Sequence, residues 1–509
     1  MALDVQLSSR ARLDPNRLRT RLFIDGQWVD AEAGGEIEVL DPHDGSTITR
    51  IAEARAADVD RAVDAAERAF PAWAATPASE RGRILLRLAD RIEAEAPELA
   101  RLESIDTGHP LRDSTRLDVP RTAATFRYFG GMADKHEGSV IPTERGFLNY
   151  LLREPIGVVG QIVPWNFPLM FTSWKLGPAL AAGNTVVMKP SELTPLSTLR
   201  VAELLQEAGV PDGVVNIVPG YGDPAGWAIA THPRIRKLSF TGSTATGRRL
   251  VEGSAASLKR LHLELGGKGA NIVFEDADIT QAVNGSAFAI FHNQGQACIA
   301  GSRLLLHERI ADRFLDDFLS VATNIRLGDP LDMATEMGPL TSQLHRDRVL
   351  AYVEVARAEG GEILCGGEAP STPALADGYY VKPTVVRARS DARVSREEVF
   401  GPFVVVTTFS DDNEALAIAN STEYGLGGGL WTRDVSRAHR MAQLLHTGMV
   451  WINAYKRVSP ASPFGGVRGS GYGREMGFEA MHEYTQPKSV WVNVDAELPV
   501  WYPRPGPER

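Results

Sequence analysis

The chain has 509 residues, more than one ordinary hydrophobic core accommodates, so about two or three domains are expected. It is 43% apolar and 23% charged, the composition of a globular protein, and a net charge of −10 excludes the broad basic field of a nucleic-acid binder. No apolar run approaches the roughly 18 residues of a membrane span, and two cysteines cannot build a disulfide framework, so a free thiol in a reducing, cytoplasmic setting is expected.

Residues 1–21 carry Arg10, Arg12, Arg17 and Arg19 beside Asp4 and Asp14, without the apolar core of a secretory signal, and read as an N-terminal arm. Residues 22–30 read as a short hairpin that turns at Asp25-Gly26. Helical periodicity begins near Asp58, and Ile84, Leu85, Leu88 and Ile92 form one apolar stripe on a helix over 81–92. The run Phe147–Leu152 is β-rich. Strand-like runs follow at Gly157–Val163, Thr185–Lys189, Val214–Pro219 and Lys237–Thr241, separated by helices predicted at 172–182, 195–208 and 245–256. This alternation implies an open, mostly parallel α/β sheet. A second α/β pattern runs from Glu275 to about 470, with a helix at 310–322 and strands near 402–409 and 427–431. Lys488–Val494 is β-rich again. It and Phe147–Leu152 belong to neither sheet, and their unpaired edges predict strand pairing across subunits.

Three segments carry chemistry. Phe240-Thr241-Gly242-Ser243-Thr244-Ala245-Thr246-Gly247 ends an apolar strand and opens a helix. Backbone N–H groups and the helix dipole bind phosphate in that context, although a Gly-Ser turn also serves simply as a helix cap. Cys298 closes the small-residue turn Asn293-Gln294-Gly295-Gln296-Ala297-Cys298, where a lone thiol can be a nucleophile. Thirty-four residues upstream, Glu264 stands beside a glycine pair in Leu263-Glu264-Leu265-Gly266-Gly267-Lys268, where a carboxylate can act as base. The plain alternatives are a buried small hydrophobe for Cys298 and a strand-end carboxylate for Glu264. Cys365 has no such company and reads as structural. His262 and His292 read as packing or exposed histidines. No His, Cys, Asp and Glu spacing suits a metal, and none is expected.

These segments, with Pro164-Trp165-Asn166-Phe167-Pro168, Met188-Lys189-Pro190-Ser191-Glu192, Glu397-Glu398-Val399-Phe400-Gly401-Pro402, Pro463-Phe464-Gly465-Gly466 and Ser470-Gly471-Tyr472-Gly473-Arg474-Glu475, occur in the order found in the NAD(P)-dependent aldehyde dehydrogenase superfamily. The chain resembles that superfamily from about residue 22 to 495. The resemblance implies an α/β fold with a Rossmann-type cofactor domain (22–140 and 157–270), an α/β catalytic domain (271–470) and a β-rich oligomerisation arm (141–156 and 485–500). It implies a homo-oligomer, either a dimer or a tetramer built from dimers.

The resemblance also assigns roles. Cys298 would attack the aldehyde carbon, Asn166 would donate to the resulting oxyanion, and Glu264 would activate the water that releases the acid. For the cofactor, Lys189, Ser191 and Glu192 would lie at the adenosine ribose and Gly222 near the adenine. Gly242, Ser243 and Gly247 would lie at the pyrophosphate, and Glu398 at the nicotinamide ribose. Phe400 would pack beside the ring, with Pro164, Trp165 and Leu265 as walls. A carboxylate at Glu192 accepts from ribose hydroxyls and repels a 2′-phosphate, which favours NAD over NADP.

Phe167, Met170, Phe171, Trp174, Ala297, Ile299 and Phe464 would line the substrate tunnel, which suits an apolar aliphatic or aromatic aldehyde. Lys456 stands where broad-specificity members often carry an acid, and Val458 where they often carry an aromatic residue. Lys456 and Arg457 therefore raise the alternative of an anionic semialdehyde, unless they are solvated loop charges. A relative that passes the thioester to coenzyme A is disfavoured by Glu264. A non-catalytic protein on the same fold is disfavoured by the intact motifs.

Overall fold

The computed structural model describes residues 18–499 and 501–502. Most of the predicted N-terminal arm, residues 1–17, and Val500 of the predicted oligomerisation arm lie outside the described residues. Two large sheets organise the molecule. The first has eight strands in the order Gly471–Tyr472, Arg260–Glu264, Lys237–Thr241, Val158–Ile162, Thr185–Lys189, Val215–Ile217, Leu22–Ile24, Gln27–Val29. The five inner strands from Arg260–Glu264 to Val215–Ile217 are parallel. Strands such as Thr185–Lys189 are buried on both faces, as their unbroken apolar runs require when helices cover a parallel sheet. The chain builds outward in both directions from Val158–Ile162, so the strand order reverses between it and Lys237–Thr241. Parallel α/β sheets open a ligand crevice at the carboxyl ends of the strands at such a reversal. Pro164, Trp165 and Asn166 leave one of these strand ends, and Gly242 and Ser243 leave the other.

The second sheet has seven strands in the order Glu362–Cys365, Thr384–Arg387, Phe403–Phe409, Arg303–His307, Ala270–Val273, Gly427–Trp431, Met449–Ile452. All its pairings are parallel except the first. The third sheet is antiparallel: Thr485–Asn493 pairs with Phe147–Pro155, which pairs with Ser139–Ile141. It stands apart from both large sheets and presents Val140, Leu148, Leu152, Trp491 and Val492 to solvent.

Local signals placed most elements. The first hairpin turns at Asp25 (φ 53°) and Gly26 (φ 73°), two successive left-handed residues, as a two-residue hairpin turn demands. The helices predicted at 195–208, 245–256 and 310–322 are Leu196–Ala208, Thr244–Ser254 and Ala311–Asn324. The helix predicted to begin at 172 begins at Pro168, because a proline at the first helical position has its φ already set. The hairpin Glu36–Leu40 with Thr47–Ala52 was not foreseen. Among the described residues no helix is long and apolar enough to cross a membrane.

Candidate active site

The turn that carries Cys298 follows the helix Ile279–Phe291, whose N-terminus is capped by Asp278. Asn293 (φ 54°), Gln294 (φ 55°) and Gly295 (φ 71°) are all left-handed. Three such residues in succession are costly and persist only where surrounding contacts fix them. Those contacts are present. Asn293 Nδ2 donates to the Asn166 carbonyl at 2.8 Å, and Gln294 Nε2 to the Gly108 carbonyl at 2.7 Å. The Thr341 N–H donates to Gln296 Oε1 at 3.1 Å. Gly295 lies against the backbone of Gly401, where a Cβ would stand 1.9 Å from the carbonyl oxygen. Asn166 Nδ2 donates to the Gln296 carbonyl at 2.9 Å, tying the end of the first sheet to the thiol turn.

The Gly266-Gly267 pair brings the strand of Glu264 to the same point. The Gly267 N–H donates to Glu398 Oε1 at 2.7 Å. Burial pushes the Glu398 carboxyl up to about 7, although that hydrogen bond and Lys268 oppose it.

Two cavities meet at Cys298. The larger, about 310 Å³, lies at the strand-order reversal. Pro164, Trp165, Asn166, Gly242, Ser243, Leu265, Glu398 and Phe400 all line it, and Leu193, Thr241, Ser342, Leu344, His345 and Arg348 join them. Ser243 caps the helix Thr244–Ser254, accepting from the Thr246 N–H at 3.2 Å, so that helix presents its N-terminus at the rim. Trp165 meets Phe400 edge-on at 5.3 Å.

Lys189, Ser191, Glu192, Gly222 and Gly247 are not part of this lining. Lys189 is buried and donates to the Gly220 carbonyl at 2.7 Å, with Glu192 Oε2 3.4 Å away. Ser191 Oγ accepts from the Leu193 N–H at 3.2 Å. Gly222 begins the turn beyond Gly220 and faces open space. Gly247 backs onto the Leu265 side chain, so its role in the fold is close helix–strand packing.

The smaller cavity, about 40 Å³, is lined by Phe167, Met170, Phe171, Trp174, Ala297, Ile299 and Phe464, all seven of the predicted tunnel residues. Arg121, Phe288, His292, Lys456 and Val458 complete it. Cys298 lines both cavities. Burial, then the Glu264 and Glu398 carboxylates, push its thiol up, while Lys456 opposes them.

The reading of Lys456 as a solvated charge is corrected by the fold. Asn453 (φ 51°) and Lys456 (φ 53°) are both left-handed, and the loop turns Lys456 inward, 5% exposed, with Nζ 3.4 Å from the His292 carbonyl. Burial pushes its ammonium down to about 7. Arg457 remains exposed. Arg121 enters the tunnel from the helix Val119–Met132, and nothing in its local sequence marked it. Among the described residues neither Arg121 nor Lys456 forms an ion pair.

His262 and His292 also lie within the site. His262 is buried against Glu264, and His292 stacks on Phe167 in the tunnel wall at 6.3 Å. The fold also brings one ligand atom each of His109, Asp113 and His292 within 4.8 Å of one another. Burial first, then Lys456, His109, Arg121 and Arg112, hold the His292 imidazole well below its usual pKa, and the positive charge of those neighbours opposes a divalent ion.

An α/β molecule with a cavity of about 310 Å³ at its strand-order reversal, meeting an apolar tunnel at Cys298, has the form of a dinucleotide-dependent oxidoreductase. The profile of the aldehyde dehydrogenase family matches residues 28–490. The chain is 45% identical over 484 residues to the NADP/NAD-dependent aldehyde dehydrogenase PuuC of Escherichia coli (strain K12), covering 94% of this chain and 97% of that protein. PnpE from Pseudomonas sp. WBC-3 is 69% identical, covers 95% of this chain and 100% of its own, and superposes with a TM-score of 0.94. PnpE has also been solved in complex with nicotinamide adenine dinucleotide. Betaine aldehyde dehydrogenase of Staphylococcus aureus, solved with NAD+, is 39% identical over 96% of this chain and 97% of its own, with a TM-score of 0.94. The chain belongs to the aldehyde dehydrogenase family.

Proposed function

We propose that this protein oxidises an aldehyde to its carboxylic acid with NAD as cofactor. The observation that carries this reading is that Cys298 lines both the nucleotide-sized cavity and the apolar tunnel. A carbonyl carbon entering through the tunnel would reach the sulfur at the inner end of the cofactor cavity.

The residues present suit the cofactor. A helix N-terminus capped by Ser243 faces the cavity rim for phosphate, Glu398 offers a carboxylate for a ribose, and Trp165 and Phe400 form an aromatic wall. Lys189 and Glu192 lie beyond that lining and would serve the adenosine ribose, where the Glu192 carboxylate would disfavour a 2′-phosphate. NAD, when bound, supplies the hydride acceptor.

The protein's own groups do the rest. Once its S–H proton has passed to solvent, the Cys298 sulfur bonds to the carbonyl carbon as the C=O pair moves onto oxygen, giving the tetrahedral thiohemiacetal oxyanion that a free aldehyde needs before it can lose hydride. The Asn166 amide, held by the Gln296 carbonyl, keeps a second N–H for the oxyanion. Loss of hydride leaves a thioester on Cys298. Glu264 takes a proton from water, whose oxygen adds to the thioester carbon and expels the Cys298 thiolate, releasing the acid.

The tunnel narrows the substrate. Its aromatic wall suits a flat or aliphatic apolar body. Lys456 is buried without an ion pair, and half-buried Arg121 has only the field of Asp118 to offset it, so both cations carry a free-energy cost that a ligand anion would reduce. The favoured substrate is therefore an aldehyde with an apolar body and an anionic group, such as a semialdehyde. Betaine aldehyde, the substrate in the name of one relative, is a quaternary cation and would meet like charge here.

The exposed apolar residues of the third sheet suit pairing between copies, and a dimer or a tetramer of dimers is the assembly proposed. A stable, active monomer in sedimentation at micromolar concentration would overturn that. Two free thiols fit a reducing cytoplasm. The deciding experiment measures NADH formation from a panel of neutral and anionic aldehydes, with and without coenzyme A. The reading fails if none is oxidised or if turnover requires coenzyme A.

A further inference from the structure

Glu264 lines neither cavity, although its charge acts on Cys298. Its carboxylate is withdrawn between Gly465, where a Cβ would stand 2.6 Å from Oε1, and the imidazole of His262. His262 lies two residues back on the same strand and therefore on the same face. Its Nε2 is 3.4 Å from Glu264 Oε1, and both side chains are at most 1% exposed. Gly473 leaves room for the ring: a Cβ there would stand 2.5 Å from His262 Cδ2.

The other ring nitrogen, Nδ1, is 3.5 Å from Ser239 Oγ on the adjacent parallel strand, where Ser239 is the register partner of His262. Lys175 Nζ donates to the same oxygen at 3.0 Å and pairs with Glu475. An ammonium only donates, and with the neighbouring Tyr484 hydroxyl also donating to Ser239 Oγ, the Ser239 proton goes to Nδ1, which leaves the Nε2–H to donate to Glu264. The donors and acceptors run in one direction from Lys175 through Ser239 and His262 to Glu264, and all four side chains are buried. The final contact is long for a hydrogen bond, so it holds the carboxylate loosely.

We propose that His262 is a positioning residue for Glu264, holding its side chain withdrawn from the thiol and donating to the ionised form that activates water. This rests on the reading of Glu264 as the base for thioester hydrolysis. The groups that set the charge balance around the pair are Lys175, Lys237 and Arg474 on one side and Glu475 and Glu483 on the other. Burial and these cations keep the imidazole neutral, so it acts by donating a hydrogen bond and not as a charge. Burial already favours the protonated acid, and without the donor it would do so more strongly, so hydrolysis would need a still higher pH.

The test compares His262→Leu, which removes the donor, with His262→Gln, whose amide can replace the Nε2–H. Stopped-flow NADH formation reads the first half-reaction. Steady-state turnover against pH reads hydrolysis, and mass spectrometry of quenched enzyme reads the thioester on Cys298. In His262→Leu the burst should persist, steady-state turnover should fall about tenfold, the thioester should accumulate, and the pH limb should move up by about one unit. His262→Gln should recover most of the loss. The proposal is overturned if the pH limb of His262→Leu stays in place, or if both variants lose burst and turnover equally. It is also overturned if His262→Leu does not fold and His262→Gln folds with an altered limb. If the wild-type enzyme gives no burst and no thioester with any aldehyde, the dehydrogenase reading itself fails.

Discussion

Gly267 sits so close to Cys298 that a Cβ on the glycine would stand 2.2 Å from the cysteine carbonyl oxygen. Gly267 lies on the link between the two large sheets, and Cys298 on the turn that precedes the strand Arg303–His307 of the second. Their contact is where the segment after Glu264 and the turn of the thiol are pressed together, and the Gly267 N–H is itself committed to Glu398.

Gly267→Ala should therefore displace the thiol turn. The clash is with backbone, which cannot swing aside, so a loss of about 1–3 kcal/mol in stability is expected. Turnover should fall by roughly a hundredfold, since small misplacements at the reacting atoms cost that much. A melting curve and kcat/KM on the best aldehyde check both numbers.

Glu264→Gln should separate the two half-reactions. One equivalent of NADH per active site should appear, and turnover should then stall with a thioester on Cys298. In the wild type, burial and then Glu475 raise the Glu264 pKa, so the fraction able to accept a proton grows with pH. Hydrolysis should rise on the alkaline side, and Glu264→Gln should lose that dependence. Wild-type turnover in the variant would mean another base serves.

Lys456→Met should cost anionic aldehydes more than their neutral isosteres, by about tenfold or more in kcat/KM. The wild-type preference should be strongest below about pH 7 and weaken as pH rises through that value, because the buried ammonium loses its proton there. Added salt should change it little, since buried charges are poorly screened. The variant thiol should also alkylate with iodoacetamide more slowly at a given pH, because the cation that favours the thiolate is gone.

Glu192→Thr should shift the cofactor ratio of kcat/KM towards NADP by about ten- to a hundredfold, on the order of 1–3 kcal/mol. Initial rates with each cofactor decide it, and an unchanged ratio would place ribose recognition elsewhere.

The sequence alone was enough to outline the alternating α/β elements, from strand and helix periodicity and turn residues. The roles of the thiol turn and the glycine pair and the seven apolar tunnel residues came from the resemblance of their motifs to the family. The inward turn of Lys456, the entry of Arg121 and the alignment of His262 with Ser239 depended on the tertiary structure. A lysine in a polar loop and an arginine on an amphipathic helix look alike whether they face solvent or a cavity. Which way each points is set by the backbone of the turn and by residues far away in the chain. The pairing of His262 with Ser239 follows from strand register between two segments whose separate sequences carry no mark of it. Burial, charge and hydrogen-bond direction in this site arise from packing two sheets against one another, and periodicity along a single chain does not record that.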